Sequence, residues 1–118
     1  MNVDSGVRKE LERLCRKRGT RKSTFSQTIP THWSPHQVRH PKTGEALSDD
    51  GAWEFVADLL RDGHDIEVIV LEQPPGKKGY VLICEGFAGE NIYMKLQLTS
   101  GLVIGRSFHI SVQKERLQ

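Results

Sequence analysis

The sequence predicts an α+β domain, one amphipathic helix laid against a four-stranded antiparallel sheet. Three observations predict it: a capped helical stripe near 49–62, four strand-like runs after it, and connections too short for crossover helices. Ser48-Asp49-Asp50 offers an N-cap and negative charge at the positive end of a helix dipole. Ala52, Trp53, Phe55, Val56, Leu59 and Leu60 follow at i, i+3, i+4, i+7 spacing, and Gly63 is the stop. The runs 65–72, 79–84, 91–98 and 102–111 are rich in β-branched or alternating apolar residues, with Pro74-Pro75-Gly76, Gly86 to Gly89 and Ser100-Gly101 between them. Neighbouring strands joined this closely must run antiparallel.

At 118 residues the chain suits one small domain. Residues 1–31 read as a separable, flexible basic leader, 32–113 as the single α+β domain, and 114–118 as a tail. Within the leader, Val7, Leu11 and Leu14 have helical spacing and Glu12 and Arg16 stand four apart, so a short helix is open there. The stretch from Gly19 to Pro30 reads as a linker, and Trp33 to Leu47, punctuated by Pro35, Pro41 and Gly44, as a lead-in with turns. Residues 8–22 carry eight cations and two anions, while the rest carries nine cations and thirteen anions. That asymmetry suggests an arm for nucleic acid or an acidic partner, or else a solvated leader.

No apolar run approaches the roughly 20 residues of a membrane span. MNVDSGVRKE is followed by no apolar segment of the secretory type. Cys15 and Cys84 are isolated, which fits neither a disulfide framework nor a zinc ribbon and predicts a reducing cytoplasm.

The chemistry is concentrated in Asn91 to Ser111. In NIYMKLQL, Ile92, Met94, Leu96 and Leu98 alternate with Tyr93, Lys95 and Gln97, so one face seals a core and the other offers a phenol, an ammonium and an amide. That second face is either a solvated surface or an RNA platform, with Tyr93 for a base or phosphate and Lys95 and Gln97 beside it. His109 carries a group that can give or take a proton near neutrality. Parity sets it with Gly105 and Ser107, and the turn brings that set beside Tyr93 and Lys95 or opposite them. Arg106 falls in register with Ile104, Phe108 and Ile110. Either Gly105 marks a bulge that turns it outward or its head passes the sheet edge, toward a phosphate or an internal carboxylate.

Other patterns exclude more than they suggest. Pro74-Pro75-Gly76-Lys77-Lys78-Gly79 lacks the Gly-Lys-Ser/Thr and helix of a phosphate-binding loop, which leaves Lys77 and Lys78 as an RNA-contacting edge or a solubilising loop. His32, His36 and His40 would align on a helix, but Pro35 and Pro41 oppose that helix, and no nearby ligand completes a metal set. No metal or cofactor is expected, and neither GxSxG nor a supported Cys-His pair is present.

Trp33…Pro35, Pro41-Lys42-Thr43-Gly44, Ala52-Trp53-Glu54-Phe55, PPGKKGYVL, IYMKLQL and VIGRSFHIS together resemble the motility quorum-sensing regulator toxins, within the RelE-like class of messenger-RNA-cleaving toxins. The resemblance covers 33–111 and is most specific over its last 21 residues. It implies a RelE-like helix-and-sheet fold, metal-independent endoribonuclease activity on messenger RNA, with or without the ribosome, and a DNA-binding antitoxin partner with a zinc-bound segment. It also implies that Tyr93 matches the toxin tyrosine and that His109 stands where the toxin has a lysine after Ser-Phe. Lys77 or Lys78 would replace a further polar position. The expected reaction is attack of a ribose 2′-hydroxyl on the adjacent phosphate, with His109 moving a proton, Lys95 and Arg106 stabilising the added charge, and Tyr93 orienting a base. A non-catalytic nucleic-acid binder and a protein-interaction module of the same fold are the alternatives.

Overall fold

A computed structural model describes residues 3–111, so the expected tail at 114–118 and the last two residues of the expected domain lie outside the described residues. The architecture is α+β: two helices cover one face of a mixed sheet of six strands. In chain order the elements are α1 (Ser5–Cys15), β1 (Arg21–Lys22), β2 (His32–Trp33), α2 (Asp49–Arg61), β3 (Glu67–Val70), β4 (Lys78–Glu85), β5 (Asn91–Thr99) and β6 (Leu102–Ser111). Strands β3 to β6 pair successively and antiparallel, whereas β1 and β2 both pair with β6 in parallel on its outer edge. The two short parallel strands are additions to the expected sheet.

Helix α2 forms for the reasons its sequence offers. Ser48 Oγ accepts from the Gly51 N–H at 2.9 Å, and Asp49 and Asp50 occupy the first turn. Its apolar stripe buries Trp53, Val56 and Leu60 completely or nearly so. Gly63, at φ +82°, turns the chain away after its end. The Arg8 guanidinium then donates to the Leu60 and His64 carbonyls at 3.1 and 2.7 Å, satisfying acceptors that a helix end leaves open.

The expected flexible leader is corrected by α1. Asp4 caps it by accepting from the Val7 N–H, and its apolar side sends Leu11, Leu14 and Cys15 into the core against α2 and β6. Four of the cations that suggested a free arm meet acids of the same molecule among the described residues. Arg16 pairs with Glu12, Glu54 and Asp58, Arg13 pairs with Glu10, and Arg18 and Arg21 share the Asp50 carboxylate. The Arg21 hydrogen bond is the main cause holding the Asp50 carboxyl below its ordinary value. Most of these pairs are open to solvent and screened by it, so they orient α1 more than they hold it. Its buried leucines do the holding.

Burial of Cys15 pushes its thiol from 9.0 up to about 12. The folded chain therefore keeps a proton that the unfolded chain loses above pH 9.0, and stability falls as pH rises from there towards 12. Urea unfolding across that window should give a shallower alkaline loss for Cys15→Ala than for the unaltered chain. Equal slopes would refute this account of the thiol.

A glycine decides the outer edge. The indole of Trp33 lies on Gly105, where a Cβ would stand 2.6 Å from Trp33 Cε3. The same indole stacks on Trp53 at 4.5 Å and donates through Nε1 to Asp49 at 2.7 Å. This clamp fixes β2, and with it His32. Among the described residues no helix is long and apolar enough to cross a membrane.

Candidate functional site

The face of the sheet away from the helices is where the polar residues of β5 and β6 meet. Ile92, Met94 and Leu96 point into the core and are fully buried, which turns Tyr93, Lys95 and Gln97 to the opposite side. Register then settles where His109 goes. Tyr93 pairs with His109 and Lys95 with Ser107, so the imidazole stands on the same face as the phenol and the ammonium.

A bulge makes this possible. Lys95 opposes Ser107 while Leu96 opposes Gly105, which leaves Arg106 as the extra residue. Strict alternation would group Arg106 with Ile104, Phe108 and Ile110. Instead Ile104 pairs with Gln97, Phe108 with the core residue Met94, and Arg106 leaves the ladder. Its Nε donates to the Pro30 carbonyl at 2.9 Å and its Nη1 to Gln97 Oε1 at 2.8 Å. Gln97 is thus a buried holder of Arg106, 4% exposed, and not an RNA-facing amide.

Lys95, Arg106 and Ser107 line the floor of an open cleft of about 570 Å³. One wall is Pro30, Thr31 and His32, and the other is the stretch 69–73 at the end of β3 and beyond. Burial, and then the neighbouring Arg106, lower the Lys95 ammonium from its ordinary value, while Glu72 on the wall pulls the other way. Burial likewise lowers Arg106, whose residue is 5% exposed. Among the described residues neither cation forms an ion pair. Two cations share the cleft floor, and the guanidinium meets only uncharged acceptors. Such a pair is costly unless an anion joins it.

No family model, curated protein or solved structure matches the chain. Its own geometry is what bears on function.

Beside the cleft three rings form a stack. His109 lies 5.3 Å from Tyr93 with planes 22° apart, and on its other side 4.4 Å from His32 with planes 28° apart. His109 Nδ1 is 3.0 Å from the Ile110 carbonyl. A carbonyl only accepts, so Nδ1 carries a proton and Nε2 of the neutral ring is left as the acceptor.

His32 is the member that sequence reasoning missed. The sequence groups it with His36 and His40, but the fold disperses them. His36 is exposed on the 3-10 turn Pro35–Gln37, and His40 meets the edge of Phe55 and accepts from the Lys42 N–H. No periodicity signal could have found His32, since a two-residue strand has none. Lys77 and Lys78 are exposed and do not line the cleft, although Lys78 pairs with Val70 and the Leu71 N–H donates to the Lys77 carbonyl along its wall.

Proposed function

We propose that this chain is the toxin of a toxin–antitoxin pair: a RelE-like, metal-independent endoribonuclease that cleaves messenger RNA in the cytoplasm. The observation that carries the reading is the cleft floor, where Lys95 and Arg106 stand together beside the Tyr93–His109 stack, with Glu72 on the wall but no direct ion pair among the described residues. A phosphodiester supplies an anion that both cations can contact directly, and also the reaction for which an imidazole is useful. Attack of the 2′-hydroxyl puts additional negative charge on the phosphorus oxygens. Fixed cations in a partly dry cleft stabilise that charge without having to reorganise. Tyr93 presents a ring on which an unpaired base can stack, as single-stranded RNA recognition requires. The antitoxin is a DNA-binding protein that neutralises the same face.

Incubating the purified chain with labelled single-stranded RNA in the presence of EDTA tests this. Fragments ending in 2′,3′-cyclic phosphate are expected. Retarded but intact RNA would replace the nuclease with a binder, and no interaction with RNA would end both readings. Lys95→Gln should also flatten the dependence of log affinity on log salt by about 0.7, the share of one phosphate contact on a single strand. Fluorescence anisotropy over a salt series measures it, and an unchanged slope would take Lys95 off the phosphate.

A further inference from the structure

In-line cleavage of a phosphodiester by its own 2′-hydroxyl needs two proton transfers, one at the attacking oxygen and one at the departing oxygen. These oxygens occupy opposite apices on phosphorus, only a few ångströms apart. One imidazole serves one of them well. The stack contains two, with ring centroids 4.4 Å apart, a spacing on the scale of the two apices. Of the pair, His32 lines the cleft with Lys95, Arg106 and Ser107. His109 is stacked against it, with one nitrogen already committed to a carbonyl.

Resting on the nuclease reading above, we propose that His32 is the second proton-transfer group of the site and protonates the departing 5′-oxygen. Nε2 of neutral His109 takes the proton of the 2′-hydroxyl as the O2′–P bond forms. The P–O5′ bond breaks, and its electron pair takes the proton that His32 gives up. The products are a 2′,3′-cyclic phosphate and a free 5′-hydroxyl. His109 is left protonated and His32 neutral, and exchange with solvent resets both. No oxidant, metal or co-reactant enters the balance.

The scaffold around His32 suits a group that must be held accurately. Its backbone pairs with Ser107 in the strand that carries His109. The next residue, Trp33, is clamped between Gly105, Trp53 and Asp49. The Ser34 N–H then donates to the Phe108 carbonyl at 2.9 Å, closing the ladder on the far side. The imidazole itself stays exposed at the cleft, as a group contacting a large substrate must.

Leaving-group chemistry separates proton donation from mere packing. A ribonucleoside 3′-(4-nitrophenyl phosphate) expels an oxygen that needs no proton, whereas RNA expels one that does. His32→Gln and His32→Asn are each compared with the unaltered chain on both substrates, with thermal melting to show that each variant is folded. The expected result is a loss of about 10²–10⁴-fold on RNA but at most about tenfold on the aryl ester. His109→Gln should lose heavily on both, and His36→Gln on neither. Equal losses on the two substrates, or full activity on RNA, would overturn the role of His32 and leave the nuclease reading standing. An unaltered chain that cleaves neither substrate would overturn both.

Discussion

Replacing His109 by alanine is expected to slow RNA cleavage about 10²–10⁴-fold, the range for losing a positioned acid or base. Among the described residues the ring makes one hydrogen bond, to the carbonyl of its own neighbour, and it lies partly exposed on the sheet. Its removal also unstacks Tyr93 and His32, so it should cost the fold about 1–3 kcal/mol. Single-turnover cleavage of labelled RNA reads the rate, and urea unfolding of the same sample reads the stability. Binding should survive, since Lys95 and Arg106 keep their places on the cleft floor. A variant that cleaves at the original rate would remove this imidazole from the chemistry. A variant that no longer binds RNA would mean that the ring holds substrate and moves no proton.

Phe108→Ala is expected to be the most destabilising single change considered, at about 3–5 kcal/mol. Phe108 is fully buried between Met94 and the aromatic cluster, 5.3 Å from the Trp33 ring and 6.3 Å from Phe55. Natural domains have about 5–15 kcal/mol in total, so this change takes a large part of the margin. Equilibrium unfolding in urea gives the difference directly. A cost under about 1 kcal/mol would contradict the packing described for the helix-side face. Phe108 also lies between Ser107 and His109 in the ladder, and its ring supports Trp33. The variant should therefore lose activity even where it remains folded, because β2 and His32 lose their backing.

How far the sequence could be read depended on the length scale of each feature. Helix α2 was legible because cap, stripe and stop all lie within sixteen residues of one another. The faces of β5 were legible because strict alternation over eight residues leaves one solution when one side is apolar. Arg106 was ambiguous for the same reason in reverse. One inserted residue reverses parity, and nothing local states whether Gly105 introduces it. Helix α1 was undervalued because its stripe is short and its surroundings strongly basic. The acids that answer those cations, Asp50, Glu54 and Asp58, lie some 30 to 40 residues further on. Composition counted by segment cannot see that pairing. Strands β1 and β2 are each two residues long and exist only because β6 presents an edge to them. Gln97 carried the polarity of a surface residue, but its partner is a buried guanidinium that the bulge delivers.

The bond from Arg106 to the Pro30 carbonyl spans 76 residues of chain. Such a contact pays a loop-closure penalty before it returns anything, and chains dominated by distant pairings fold slowly. During synthesis α2 and the β3–β4 hairpin can collapse early, while β1 and β2 wait for β6 to leave the ribosome. Until then the two imidazoles belong to separate, unassembled parts of the molecule. If the chain cleaves RNA as proposed, a nascent copy would be inert toward the message that encodes it until β6 has been made.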